Sequence, residues 1–385
     1  MIRPTDLDEL LSVVEDFGER TVAPNAQAWD RDRVMAVDAL REAATLGLLG
    51  IEVPVSQGGL GMDFGAKVAV IDALSRSSMA FAFSLVNTHN VAANIARRGT
   101  DVHKERYLDD LLHGRRFGST ALSEPGAGSD FAAITTLATP VDGGWRLDGE
   151  KAWITNAAES DVIVCYVQTE KGAGAKGIAS FLIDGRRDGF VRSAPHDLYG
   201  GHTIGTGGFV LDGYLATDDD LLAPAGEAFK AALSSINGAR TYVAVMCCAM
   251  LRASLGIAVD YGAQRHTFGR PIIEHQGLAW SLADIANRLE AAQALTDRAI
   301  DAVSNGSPAD AVLPAAHAKK FATEAAEPGI AGCIQAMGAA GLRSEYPLGR
   351  HLAAARIAHF TDGSTEIQTD RIARSLVASY GRSST

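Results

Sequence analysis

Two segments hold residue types suited to gripping a flat ligand with polar edges. Ala121 to Asp130 reads ALSEPGAGSD, and Trp153 follows 23 residues after Asp130 inside DGEKAWITNA. Gly126 and Gly128 let the backbone turn tightly and approach a ligand closely, while Ser123, Ser129 and nearby N–H groups donate to ring carbonyls or phosphate oxygens. Trp153 offers a flat apolar face and Thr155 a hydroxyl two residues on, at the end of a segment that alternates like a strand. Alone, one segment reads as a surface turn and the other as a core strand. Together, in this order, they read as a flavin site.

Both segments, with two more further along, resemble the acyl-CoA dehydrogenase family, FAD-dependent enzymes that desaturate acyl thioesters. The later segments are Arg265 to Gln276, RHTFGRPIIEHQ, and Gln335 to Gln368, QAMGAAGLRSEYPLGRHLAAARIAHFTDGSTEIQ. The likeness covers nearly the whole chain. It implies that Leu122, Ser123, Ser129, Trp153, Ile154 and Thr155 meet FAD or the pantetheine arm of the thioester, with Ser129 on the thioester-carrier side. It implies that Arg265, Phe268 and Gln276 cross a subunit interface to the neighbour's FAD, and that Gln335, Ala336, Gly338 and Ala339 close on its adenosine half. Ser364 and Glu366 are implied cofactor contacts, and Arg240 and Gly363 implied substrate contacts, beside Ser129. Arg265 by itself would be a solvated charge; its place just before FGRP gives it the cofactor role. The enzyme then needs at least a dimer, and the family usually forms a dimer of dimers.

The chemistry implied by the resemblance needs a base for the α-proton while the β-hydrogen leaves as hydride to flavin N5, both C–H bonds breaking in an aligned, water-free geometry. Hydrogen bonds to the thioester oxygen, from the base residue's own N–H and a flavin ribityl hydroxyl, make the α-proton more acidic. The family's usual base is a Glu followed by Gly and Thr, whereas this chain has Asp362-Gly363-Ser364. The alternative base site, just before Arg240, is Ala239, so Asp362 is the only acid at either place. Asp is shorter than Glu by one carbon–carbon bond, about 1.5 Å, and a misplacement of about 1 Å costs on the order of 100-fold in rate. Either backbone or substrate sits closer, or the chemistry differs; some relatives acting on alicyclic acyl-CoAs also use Asp. Asp before Gly also suits a plain turn.

Other departures are milder. Ala339-Ala340 replaces part of a Gly-rich turn, and Ala353 to Ala355 stand where an Arg-Asp pair is common, so a structural salt link is expected to be missing there. The segment SLVNTHNVAANIARRG matches the region that helps form the acyl pocket in relatives. Its Asn87, His89, Asn90 and Asn94 are more polar than a fatty-chain tunnel requires. A solvent-facing stripe is expected to account for at least half of them, leaving a weak preference for a short, branched, cyclic or oxygenated acyl group.

These residues need elements to position them. With 385 residues, 47% apolar and 21% charged, the chain has ample material for a core and for more than one layer or domain. A net charge of −11 with no basic stretch argues against nucleic acid as a partner. Cys165, Cys247, Cys248 and Cys333 lack CxxC spacing and sit in apolar surroundings, so they read as reduced core thiols. The N-terminus, MIRPTDLDELLSVVEDF, carries acids through its first apolar stretch, and no window approaches 18 apolar residues. A soluble cytoplasmic protein without membrane insertion is the expectation, in which Asn305-Gly306-Ser307 is a helix-ending loop rather than a glycosylation site.

From Thr5 to about Gly118 apolar residues recur at three and four: Leu7, Leu10, Leu11, Val14 and Phe17 form one stripe, Val68, Ile71 and Leu74 another. Between them IEVPVSQGGLGMDFG reads as a long loop. From Ser119 short β-branched segments alternate with Asp-Gly and Gly-Gly punctuation, the pattern of an antiparallel β domain. After about Gly226 helices return, with Leu278, Leu282, Ile285, Leu289 and Ala292 as a buried stripe suited to a bundle. The expected fold is α+β: an N-terminal helical domain over 1–118, a β-barrel-like middle domain over 119–225 and a C-terminal four-helix bundle over 226–385. GAGAKG at 172–177 satisfies GxGxxG, but the strand-like IASFLIDG follows it, so it reads as a hairpin loop and not a Rossmann turn.

Four functions fit this frame. They are an acyl-CoA dehydrogenase reoxidised by an electron-transferring flavoprotein, a dehydrogenase of an acyl-carrier-protein-bound unit, a flavin monooxygenase on the same fold, and a non-catalytic flavin- or carrier-binding subunit. Asp362 favours the first two.

Overall fold

The computed structural model describes residues 6–380, so Thr5, the expected first helical residue, lies outside it. Asp6 caps α1 (Leu7–Phe17) by accepting the Glu9 N–H at 2.9 Å, and the helix buries Leu10, Val14 and Phe17. Helices α2 (Ala23–Arg31) and α3 (Val37–Thr45) follow, then the glycine-rich loop, which ends where Asp63 caps α4 (Phe64–Arg98). α4 is interrupted at Ser78, whose extended backbone (φ −158°, ψ 103°) divides it in two. Ser78 then caps the second half by accepting the Phe81 N–H. Short α5 (Asp101–His103) and α6 (Asp109–Leu112) lead into the sheet.

The sheet holds β1 (Gly118–Ala121), β2 (Leu137–Val141), β3 (Gly144–Ile154), β4 (Val162–Gln168), β5 (Ile178–Asp184), β6 (Phe190–Arg192), β7 (Gly207–Ala216) and β8 (Leu221–Ala223). Its order is β6-β7-β3-β2-β4-β5-β8, with β1 also on β4. Most neighbours are antiparallel as expected. β4 departs from that, pairing in parallel with β1 and with the end of β2, because the chain enters through β1 from the helices and not through a hairpin. Every residue of β4 is buried. The GAGAKG stretch is the connection between β4 and β5, which pair antiparallel from Val162↔Asp184 to Gln168↔Ile178.

The returning helices are α7 (Ala228–Gln264), α8 (Gln276–Asn305), α9 (Val312–Met337), α10 (Leu348–Ala358) and α11 (Thr365–Tyr380), with the small hairpin β9 (His266–Thr267) and β10 (Arg270–Pro271) between α7 and α8. The expected α8 stripe is buried at Leu282, Ile285, Leu289 and Ala292, with Leu278 partly so. One core runs from Leu10 and Phe17 through Leu74 and Phe81 to Met246, Leu289 and Cys333, so the first and last helical parts share an interior. All four cysteines are free and buried.

One expectation needs correction and another gains a structural reason. α4 and α7 each carry an 18-residue window apolar enough to span a membrane, with mean hydropathy 1.3 and 1.9; 67% of each window is buried, as core helices require. Ala353, Ala354 and Ala355 make no ion pair, as expected, yet they are far from idle: all three are buried, and a Cβ at Gly200 would come within 2.7 Å of the Ala353 methyl. Small side chains there let the 200–201 turn pack on α10.

Candidate active site

The two flavin-like segments lie side by side. Ala152 N donates to Ser123 O at 3.1 Å, and Lys151 Nζ donates to Leu122 O at 3.2 Å and to Glu124 Oε1 at 2.8 Å. Glu124 also accepts from Thr135 N, Thr135 Oγ1 and Thr136 N. Burial by itself would raise the Glu124 pKa, but the Lys151 charge and these hydrogen bonds hold it at about 2. Glu124 and Lys151 each lie inside one of the two motifs, where neither stands out by sequence alone. Their opposite charges, one in each motif, were the available signal.

Beyond this ion pair, Trp153 takes a left-handed backbone (φ 61°) that turns its ring outward, 59% exposed, with the His196 ring at 4.4 Å. Thr155 is half-buried, Ser129 exposed, Leu122 and Ser123 half-buried. Ile154 is turned the other way, 2% exposed in the sheet core, so it offers a bound cofactor only its backbone. Asn156, also left-handed (φ 63°), donates to Ser84 O, Thr88 Oγ1 and Gly118 O and accepts from Ser84 Oγ. It ties the end of β3 to α4, and nothing in its sequence context distinguished it.

Asp362 sits in the turn between α10 and α11. Asp362 and Gly363 take consecutive positive φ angles of 51° and 92°. Asp tolerates the left-handed region better than most residues. Gly363 has both backbone and crowding reasons to be glycine, since a Cβ there would lie 3.0 Å from Gln368 Nε2 and 3.4 Å from an Arg240 nitrogen. Arg240 Nε donates to the Asp362 carbonyl at 3.1 Å; Lys319 Nζ donates to the Gly363 carbonyl at 2.5 Å, and Gln368 Nε2 to the same oxygen at 2.9 Å. The cations therefore hold the turn's carbonyls and leave the carboxyl group unpaired. Asp362 Oδ2 is, among the described residues, the one carboxylate oxygen buried without a hydrogen-bond partner. Burial pushes the Asp362 pKa up to about 6 against the pull of Lys319 and Arg240. Burial likewise brings Lys319 down to about 8 and Arg240 to about 10. Lys319, fully buried on α9, was missed in the sequence, where a lysine in LPAAHAKKFATEAA looks like a helix-surface charge.

In the expected acyl-pocket segment His89 is fully buried against Glu52, and Asn90 reaches across to the Tyr242 hydroxyl. Asn87 and Asn94 are half-buried. The polar residues are thus turned inward to a greater degree than a solvent-facing stripe allows.

The remaining expected contacts fall on the β9–β10 hairpin, the end of α9 and the start of α11. Arg265, Phe268 and Gln276 are exposed around the β9–β10 hairpin, Phe268 at 96% and again left-handed (φ 50°). Gln335, Gly338 and Ala339 are exposed at the end of α9, with Ala336 half-buried. Ser364 is half-buried beside the Asp362 turn and Glu366 exposed at the start of α11. Among the described residues no hydrogen bond or ring contact joins the hairpin group to the Leu122–Thr155 group.

A helical layer, a β layer carrying an outward tryptophan and a helical bundle carrying Asp362 in its α10–α11 turn have the layout of the acyl-CoA dehydrogenase fold. Family models confirm it end to end: acyl-CoA dehydrogenase N-terminal domain over residues 4–115, middle domain over 119–214 and C-terminal domain over 226–377. The chain belongs to the acyl-CoA dehydrogenase family and is an oxidoreductase acting on CH–CH groups with FAD as cofactor. It is 31% identical over 370 residues to the short-chain specific acyl-CoA dehydrogenase of Megasphaera elsdenii, covering 94% of this chain and 96% of that one. It is 32% identical over 372 residues to the human mitochondrial short-chain specific enzyme, covering 96% and 90%. The structure of butyryl-CoA dehydrogenase from Megasphaera elsdenii superposes with a TM-score of 0.91 at 30% identity, covering 98% of this chain and all of that one. The residues present fit FAD: an outward Trp153 face, and open space above Gly126 and Gly128, where an added Cβ would meet nothing within 4 Å.

Proposed function

We propose that this chain desaturates the α,β-carbons of an acyl thioester with Asp362 as the base. Its carboxylate takes the α-proton, and a carbon–carbon double bond forms as the β-hydrogen departs with its electron pair. Bound FAD supplies the acceptor for that hydride. The observation that carries the reading is the unpaired, buried Asp362 oxygen in a turn whose carbonyls are held by Arg240 and Lys319. A carboxyl group with a pKa near 6 accepts a proton more readily than an ordinary aspartate while still being ionised at neutral pH. Arg240 and Lys319 fix the turn and so hold the Asp362 backbone in one geometry. The Asp362 N–H faces no acceptor among the described residues and is available to the thioester oxygen.

We further infer a dimer of dimers, with Arg265, Phe268, Gln276 and Gln335 serving the neighbour's FAD, and electron transfer onward to an electron-transferring flavoprotein. Support comes from the exposure of both groups and from the lack, among the described residues, of any hydrogen bond or ring contact joining them to Trp153. The thioester is carried by CoA or, on the same pantetheine arm, by a carrier protein. The test is anaerobic mixing of the FAD-loaded enzyme with acyl-CoA and with acyl-carrier-protein thioesters. Bleaching of the flavin absorbance is expected; no bleaching by any thioester would remove the base role of Asp362.

A further inference from the structure

The ring of Trp153 is aimed by the backbone beneath it. Between Lys151, opposite Phe209, and Ile154, opposite Gly207, β3 places two residues, Ala152 and Trp153, where β7 places only Gly208. This is a β-bulge, which bends a strand and re-aims a side chain. Gly208 suits it, since a Cβ there would collide with the Lys151 carbonyl. Within the bulge Trp153 takes its left-handed φ of 61°, which a bulky residue keeps only where its surroundings over-determine it.

His196 reaches the same place from the other side of β7. After β6 the chain continues along the start of β7, with Ser193 N donating to Gly208 O at 3.0 Å and His196 N to Thr206 O at 2.9 Å. The end of β3 is tied to the same stretch, Asn156 N donating to Ile204 O at 3.0 Å. Both backbones are thus fixed to residues 204–208, and the His196 ring lies against the Trp153 indole, 4.4 Å between centroids and 35° between planes. Among the described residues it is the one ring in contact with that indole, which is otherwise 59% exposed. His196 Nε2 is buried without a hydrogen-bond partner, so the ring is held by its face and not through that nitrogen. An exposed indole without such a neighbour samples several rotamers and loses that freedom on meeting a ligand, whereas a stacked one is already ordered.

We propose that His196 is a positioning residue of the flavin site, its ring holding the Trp153 indole in the attitude that meets FAD. This rests on the reading of Trp153 as a flavin contact. The bulge sets the direction of the indole, and the stack on His196 sets its tilt.

The FAD-loaded native protein is compared with His196→Ala, His196→Phe, Trp153→Ala and the His196→Ala/Trp153→Ala double variant. Two readouts besides activity are taken: the visible circular dichroism of the bound flavin, and the rate of FAD release on dilution, followed by free-flavin fluorescence. His196→Ala should release FAD about 3- to 10-fold faster, as the loss of an aromatic pair implies, and should alter the visible dichroism while the far-ultraviolet dichroism is unchanged. His196→Phe should return both readouts close to native. Because His196 acts through Trp153, the double variant should release FAD no faster than Trp153→Ala alone. Native behaviour of His196→Ala, no recovery in His196→Phe, or effects that multiply in the double variant would each overturn the proposal while leaving the flavin role of Trp153 intact. A Trp153→Ala variant native in both readouts would remove that flavin role, and this proposal with it. Should His196→Ala fold poorly, His196→Gln gives the same comparison.

Discussion

Replacing Asp362 by Asn should stabilise the protein while silencing it, and the two effects should share one pH dependence. The folded pKa is about 6 against an ordinary 3.8, a rise of about two units caused first by burial. At ~1.4 kcal/mol per unit this corresponds to ~3 kcal/mol by which the ionised carboxylate disfavours the folded state. The sign follows from protonation. Below pH 3.8 the group is neutral in both states and costs nothing; stability is lost as pH rises from there through about 6, beyond which the cost is constant. The neutral amide of the Asp362→Asn variant carries no such cost. With about 2 cal/mol/K of unfolding entropy per residue, 385 residues give ~0.8 kcal/mol/K, so the gain is on the order of 4 °C at pH 8 and near zero at pH 4. Reduction of flavin by a thioester should fall at least ~100-fold, the usual contribution of a positioned base. In the native enzyme the reduction rate should rise with pH through about 6. Differential scanning of the FAD-loaded proteins between pH 4 and pH 8, with stopped-flow bleaching, measures both. A melting difference independent of pH would refute the buried-carboxylate account, and a variant retaining most of its reduction rate would refute the base.

Asp362→Glu should still reduce flavin and shift preference toward less bulky acyl groups, because the longer arm reaches further from the same left-handed backbone; complete inactivity in the stopped-flow panel would show that the turn cannot accommodate the extra carbon. Lys151→Met leaves Glu124 buried with its charge uncompensated, so a loss of roughly 3–5 kcal/mol and faster FAD release are expected, with part of the stability returning in a Lys151→Met/Glu124→Leu double variant; chemical denaturation and FAD fluorescence report the two. Arg265→Ala should weaken FAD retention more than folding, since its side chain is exposed within one chain; light scattering that shows a native monomer holding FAD tightly would contradict the cross-subunit role.

Local chemistry made much of this protein readable. The Asp142-Gly143 turn and the alternation around it identify β2 and β3 because a strand's period is two and a tight hairpin needs a left-handed residue, here Gly143 at φ 81°. The stripe Leu10, Val14, Phe17 identified α1 for the corresponding reason at period 3.6. The strand following GAGAKG was enough to reject a dinucleotide turn. Asp362 was found as an acid at a motif position.

The parallel seating of β1 on β4, the shared core of the first and last helices, and the inward turn of His89 and Asn90 were not legible, because each joins residues far apart in the chain. Lys319 is the clearest instance. A lysine on a helix is ordinarily solvated, and only the folding of α9 beneath the 359–363 turn buries it and commits its ammonium to a carbonyl. The sequence by itself determined which groups exist: the tryptophan, the glycines and the single acid at the base position. Their states were decided by tertiary structure, since a carboxyl group's pKa depends on solvent access and on distances to Lys319 and Arg240, 43 and 122 positions away along the chain.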